Sequence, residues 1–250
     1  MVTLRDLLER RFLLHDQGST TYNISDQVLE FIADNIGTDS KTLETGAGLT
    51  TIVFAMKGAE HVCITPAQDE VDNITKSCKQ LGVSLDRVAF HINFSERVVP
   101  FLEYPLLDLV LIDGGHGMPT PFIDWYYTAQ ALKTGGLLLI DNVELWTGDV
   151  LTQFLLSEPE WKLDRIIAEG AKTAIFYKTA PYSFKEWCWQ PFVVKNSDLS
   201  ELAKAMDITA FPGALEWLDK NPRVAINLLQ ARVDQLQARL DEQEKRSTAP

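Results

Sequence analysis

Cysteine is scarce in this 250-residue sequence: Cys63, Cys78 and Cys188 are the only three. An odd number with no closely spaced pair excludes a zinc-knuckle pattern and reads as free thiols in a reducing compartment. No run of about 18 apolar residues is present, so no segment is expected to span a bilayer. The amino end, MVTLRDLLERRFLL, lacks the uninterrupted apolar stretch of a secretory signal, which points to a soluble cytoplasmic protein. Positive charge is also short. Against 35 Asp and Glu stand 23 Lys and Arg, for a net charge of -12. Such a surface repels phosphate backbones, so a general nucleic-acid partner is disfavoured.

What is present is apolar residue in the right pattern. The hydrophobic fraction of 46% allows a sizeable core. Ser25 caps a predicted helix whose apolar face is Val28, Leu29, Ile32 and Ile36, ended by Gly37. Further helices are expected at 49–57, 69–81, 120–132 and 150–156. Strands are expected at 41–45, 61–65, 87–92, 108–112, 137–140, 163–168 and 173–178. The run from Asp108 to Ile112 is continuously apolar after its first residue, as in a strand covered on both faces. Strand alternating with helix predicts an α/β fold, a Rossmann-like, doubly wound and mostly parallel sheet spanning residues 1–180.

Two regions follow. Residues 181–222 carry Pro181, Pro191, Pro212 and Pro222 with Trp187, Trp189 and Phe192, and read as an irregular extension with one short helix near 197–206. Its aromatics are expected to pack on the domain rather than form a lid. Residues 223–246 read as a helix. Ile226, Leu229, Val233, Leu236 and Leu240 recur by three and four residues, the spacing of a coiled-coil seam, and favour a homo-oligomer over a helix docked on its own domain.

Three motifs carry chemistry. Glu44-Thr45-Gly46-Ala47-Gly48-Leu49-Thr50-Thr51 follows a strand and opens a helix. Its glycines let the backbone turn tightly, and the helix start offers unpaired N–H groups. A dinucleotide site wants a third glycine where Thr51 stands, and Glu44 beside a pyrophosphate would be repulsive. An acid there suits a cationic amino group better. The second motif, Asp113-Gly114-Gly115-His116, ends the strongest strand, and the third, Asp141-Asn142, ends the next one. Ligands of open α/β sheets sit beyond the carboxyl ends of strands, so these residues are expected to share one crevice. Two carboxylates and an amide oxygen are hard ligands suited to Mg²⁺. His116 is a candidate general base, since an ordinary imidazole titrates near neutrality. His15, His61 and His91 read as structural, although His15 and Asp16 precede Gly18 in a segment that can lie beside the substrate. Tyr22, Trp125 and Tyr126 are weaker pocket candidates, for which core packing is the simpler reading.

Residues 41–178 resemble the class I S-adenosylmethionine-dependent methyltransferases, whose first motif Glu44-x-Gly46-x-Gly48 matches. The resemblance implies the family's seven-strand sheet, with Glu44, Gly46 and Gly48 lining the methionine moiety. An acid usually ends the family's second strand and holds the ribose; here Thr65 stands there, with Asp69 and Glu70 as alternatives from the next helix. On the adenine side the sequence offers Ser95 and Phe94. Asp113-x-x-His116 with Asp141-Asn142 is similar to metal-dependent O-methyltransferases of the catechol and antibiotic-sugar types. That likeness implies Asp113, Asp141 and Asn142 as metal ligands and His116, beside Asp113, as the base. The expected activity is O-methylation of a small molecule, a sugar or glycan by preference. A metal-free N- or O-methyltransferase, an NAD-dependent oxidoreductase and a non-catalytic scaffold are the rivals.

Overall fold

The computed structural model describes residues 3–10, 12, 14–15, 24–103, 105–197 and the helical positions 226, 229, 230, 233, 234 and 237. The chain divides into two compact units, Met1–Phe184 and Lys185–Pro250.

The first unit is a seven-stranded sheet with helices on both faces. In chain order its elements are α1 (Leu4–Arg10), α2 (Asp26–Asn35), β1 (Lys41–Thr45), α3 (Leu49–Met56), β2 (Glu60–Thr65), α4 (Gln68–Leu81) and β3 (Val88–Ile92). These are followed by α5 (Ser95–Val98), β4 (Leu107–Ile112), α6 (Thr120–Thr128), β5 (Leu132–Ile140), α7 (Trp146–Ser157), β6 (Trp161–Ile167) and β7 (Thr173–Lys178). The strand order is β3-β2-β1-β4-β5-β7-β6. β1 to β5 pair in parallel, and β7 enters antiparallel between β5 and β6. The sheet is thus the mostly parallel, doubly wound type, and its order reverses between β1 and β4.

Local chemistry explains most boundaries. The Ser25 hydroxyl accepts the Val28 N–H and starts α2. α4 buries Val71, Ile74, Cys78 and Leu81, an i, i+3, i+4 stripe, and ends where Gly82 turns left-handed. Leu43, Leu109, Val110, Leu111, Leu138, Leu139 and Ile175 form the fully buried centre of the sheet. Three expected boundaries move by four residues or more, the first being the end of α6, at Thr128 rather than 132. β5 begins at Leu132, not 137, because the strand continues across a bend at Gly135, at φ 85°, with a register irregularity against β4 between Leu107 and Leu109. α7 begins at Trp146, not Val150; Gly148 there packs so closely that a Cβ would lie 2.7 Å from the Asn142 carbonyl.

Trp125 is buried and packs edge-on against Phe154, Tyr182 and Phe184, with centroids 5.1, 5.4 and 5.8 Å away. Tyr126 stacks on Phe184 at 3.9 Å. Both are packing residues.

The second unit begins with a 3₁₀ turn, Trp187–Trp189, and α8, Pro191–Asn196. Residues 198–206 of the expected short helix lie outside the described residues. Ile226, Leu229 and Val233 are helical and exposed, while Leu236 and Leu240 are not described. Among the described residues no helix is long and apolar enough to cross a membrane.

One buried charge in the first unit is unusual. Asp124, on α6, is fully buried, and neither carboxyl oxygen has a well-aligned hydrogen-bond partner, although the Ser95 and Thr45 hydroxyls lie beside it. Burial pushes its pKa up to about 6. A carboxyl with a raised folded pKa folds at little cost while protonated and weakens the fold once it ionises. Its penalty is therefore absent below about pH 4 and complete above about pH 6, worth on the order of 2–3 kcal/mol at 1.36 kcal/mol per pKa unit. Urea unfolding of Asp124→Asn should show a gain of that order over the wild type at pH 8 and none at pH 4. An equal difference at both pH values would show that Asp124 does not ionise within this range.

Candidate active site

Parallel strands in register end side by side. Ile112 pairs with Ile140, so the next residues, Asp113 and Asp141, leave adjacent strand tips together. Their side chains come within hydrogen-bonding reach. Burial, and then the Asp141 charge, push Asp113 well above the usual carboxylate range. Burial also raises Asp141, although the Thr173 hydroxyl donates to its Oδ1. Two carboxyls this close cannot both be ionised cheaply unless a proton or a cation lies between them.

Asn142 follows in the left-handed region at φ 54°, a conformation in which asparagine is among the least strained residues. Its Nδ2 donates to Glu144 Oε1 at 3.0 Å, and Glu144 Oε2 accepts the Lys172 N–H at 2.9 Å. With the amide nitrogen engaged, the Asn142 carbonyl oxygen is left as the ligand atom. His116 stands at the lip with Nε2 3.9 Å from Asp113 Oδ1. Its backbone carbonyl accepts the Thr147 hydroxyl at 2.5 Å, which ties the Asp113–His116 loop to α7. Burial lowers its pKa against the opposing pull of Asp141 and Glu144, which favours an imidazole that can accept a proton.

The glycine turn forms the other half of the site. Gly46 has φ 93°, and a Cβ there would fall 2.2 Å from the Asp113 carbonyl oxygen. Only glycine lets the tips of β1 and β4 approach this closely. Glu44, by contrast, does not line the cleft. It is buried, and its carboxylate accepts from Thr50 Oγ1 at 2.6 Å, from Thr51 Oγ1, and from His61 Nε2 at 3.1 Å. A carboxylate inside the core needs these donors, and they turn it away from a ligand. Thr51 in turn accepts the Gly48 N–H at 3.1 Å, while His61 Nδ1 meets Thr42 Oγ1 at 2.8 Å and its ring stacks on Phe54. Glu44, His61 and Cys63 also lie close enough to hold a metal ion. Their hydrogen bonds to Thr42, Thr50, Thr51 and the Gly46 carbonyl account for them as core polar groups instead.

A single cleft of about 1140 Å³ joins these parts. It exceeds the roughly 300–1,000 Å³ of an ordinary small-molecule site, enough for two ligands together. Gly46, Gly48, Thr65, Ser95, Asp113, His116, Asp141 and Asn142 all line it. Trp125 and Tyr126 do not, and Tyr22, Asp16 and Gly18 lie outside the described residues.

At the end of β2, Thr65 does not face the cleft as a free hydroxyl. Its Oγ1 donates to Glu70 Oε2 at 2.6 Å, and His15 Nδ1 lies 2.9 Å from Glu70 Oε1. Burial alone would raise Glu70, but the bonds from His15 and Thr65 outweigh it and hold the carboxyl low and ionised. An acid from the first turn of α4, Glu70, thus stands beside the tip of β2, where the sequence itself places Thr65. His15, read from sequence as structural, is part of the cleft wall. Only three-dimensional proximity joins residues 15, 65 and 70.

No protein-family model and no curated protein matches the chain. Solved structures do. The O-methyltransferase TomG from Streptomyces achromogenes, involved in tomaymycin synthesis and bound to S-adenosylmethionine, aligns over 72% of this chain and 92% of its own, with 15% identity and a TM-score of 0.59. The methyltransferase PaMTH1 of Podospora anserina, bound to S-adenosylhomocysteine, aligns over 71% and 88%, with 16% identity and a TM-score of 0.55. An rRNA methylase from Streptococcus thermophilus aligns over 62% and 96%, with 12% identity and a TM-score of 0.50. The fold is that of the S-adenosylmethionine-dependent methyltransferases.

The contact between Gly46 and Asp113 yields a direct test. Gly46→Ala should lower stability by more than about 2 kcal/mol, from left-handed strain plus the clash. It should also weaken S-adenosylhomocysteine at least tenfold in calorimetry. An unchanged affinity in a folded variant would remove the turn from the ligand site.

Proposed function

We propose that the protein is an S-adenosylmethionine-dependent O-methyltransferase that modifies a hydroxyl of a small molecule, a sugar or another vicinal diol, with Mg²⁺ assistance. The observation that carries this reading is the meeting of the Asp113 and Asp141 carboxyls at neighbouring strand tips, in a cleft continuous with the glycine turn. The net charge of -12 speaks against a polynucleotide acceptor.

The residues fit both groups. Asp113, Asp141 and the Asn142 carbonyl oxygen would hold Mg²⁺, which satisfies two carboxyls otherwise set against each other. Gly46 and Gly48 would lie along the methionine end of the donor, Glu70 would accept from the ribose hydroxyls with Thr65 behind it, and Ser95 would border the adenine. Glu44 supports the turn from within. When bound, the donor supplies an electrophilic methyl group and the cation lowers the pKa of an acceptor hydroxyl. His116 Nε2 receives the hydroxyl proton as the oxygen–carbon bond forms and the carbon–sulfur bond breaks. Asp113 steadies the resulting imidazolium. The rest is alignment, which can contribute about 7–11 kcal/mol over free encounter when two reactants are held in line.

The exposed seam of Ile226, Leu229 and Val233 supports self-association through the carboxyl-terminal helix, with a second copy as partner.

Turnover with a vicinal-diol acceptor should stop on chelation with EDTA and return with Mg²⁺. In the same assay His116→Gln should cut kcat by about 10²–10⁴, the usual size of general-base catalysis, and leave S-adenosylhomocysteine affinity unchanged. Activity indifferent to EDTA would remove the metal and leave a metal-free transferase. For the terminal helix, deletion of 223–250 should lower the mass seen by light scattering to that of one chain, and an unaltered mass would reject the seam.

A further inference from the structure

The cleft carries one sign of charge. Among the described residues lining it, the acids are Glu70, Glu96, Asp113 and Asp141, the only bases are His15 and His116, and there is no lysine or arginine. Glu144 adds a further carboxylate beside Asn142, at the end where an acceptor would meet Asp113 and Asp141. Two cations stand near this lining without belonging to it. The Arg97 guanidinium lies 5.5 Å from the centroid of the Phe94 ring, and Lys172 is on the surface, where its charge acts on Glu144. A divalent cation cancels Asp113 and Asp141 alone, and hydroxyl groups bonded to Glu70 leave its charge in place. Glu70 and Glu96 therefore keep the lining negative, and Glu144 adds to its field from outside. Its low-dielectric walls focus that field on whatever enters. Leu145 and Ala171 offer apolar contact at the same end, with the Leu145 N–H bonded to the Asn142 carbonyl at 2.9 Å.

We propose that the acceptor is a vicinal diol that is uncharged or carries an amine, and that the cleft refuses carboxylated, phosphorylated and polynucleotide acceptors. This deepens the O-methyltransfer reading and rests on it. The recognition is complementary rather than attractive alone: among the described lining residues an anionic acceptor would find no lysine or arginine and would feel the charge of Glu144, which already acts on His116, whereas an ammonium would be drawn to that carboxylate, held in place by Asn142 and the Lys172 N–H. The same field favours the donor, whose sulfonium and ammonium outnumber its single carboxylate.

The test uses the full-length protein saturated with S-adenosylhomocysteine and Mg²⁺, titrated calorimetrically with two matched series. One comprises catechol, dopamine and 3,4-dihydroxybenzoate. The other comprises methyl glucoside, glucosamine and glucuronate. In a series that binds, the amine member should bind at least as tightly as the neutral one, and the carboxylate member at least tenfold more weakly. Glu144→Gln keeps an acceptor for Asn142 but removes the charge, and it should shrink the amine-to-carboxylate ratio at least threefold, as should 0.5 M NaCl. A carboxylate member bound as tightly as its neutral partner overturns the proposal, and so does discrimination that neither Glu144→Gln nor salt alters. If the charge order holds while EDTA leaves methyl transfer intact, only the metal reading fails. If turnover requires Mg²⁺ but affinity ignores charge, only this inference fails. Absence of binding in both series removes both.

Discussion

Two carboxyls forced together at the ends of neighbouring parallel strands set the terms for the rest of the site. The β4–β5 register leaves Asp113 and Asp141 no choice but proximity, and the buried surroundings make their joint ionisation costly. Every feature nearby answers that cost. Thr173 donates to one carboxyl, His116 stands near the other, and the Asn142 backbone N–H bonds to Asp141. A core designed for stability alone would place apolar residues at these tips. An unfavourable pair lining a large cleft is the ground on which the proposed cation site rests.

The same cleft needs β1 to come within backbone contact of β4, and Gly46 is what permits it. The turn would be soft if it rested on glycines alone. Glu44 supplies the rigidity from beneath, since one buried carboxylate gathers Thr50, Thr51 and His61, and Thr51 passes the restraint to the Gly48 amide. Strain at the ligand side and hydrogen bonding on the core side are thus two faces of one turn.

Much of this was legible in the sequence because strand periodicity and strand ends are local properties. The apolar run before Asp113 and the one before Asp141 identify two tips of one sheet, and the glycines after β1 identify a third. What was not legible depends on distance in space. The orientation of Glu44 follows from His61, seventeen residues away on β2, and nothing in the first motif says whether that carboxylate faces out or in. Glu70 was one of two acids, with Asp69, that the sequence offered beside Thr65, and only the placement of His15 and Thr65 on either side of it tells them apart. The early start of β5 was hidden because Gly135 and Gly136 read as a turn; they bend the strand without ending it.

The shift of an acid from a strand end to the first turn of α4 has a structural consequence. A carboxylate on a strand is held by the sheet, but one on a helix side chain must be aimed. Thr65 fixes one oxygen of Glu70 and His15 the other, so His15 becomes part of the cleft wall. That segment is itself anchored: Leu14 is buried in the core and its carbonyl accepts from Asn73 on α4 at 3.0 Å. The helix that presents Glu70 therefore also grips the strand of chain that aims it. Geometry at the Glu70 end is then set by packing between α4 and the residues at Leu14 and His15, while geometry at the Asp141 end is set by sheet register. The two ends of the cleft can consequently vary independently, the first through residues that hold Glu70, the second through residues around Asn142 and Glu144.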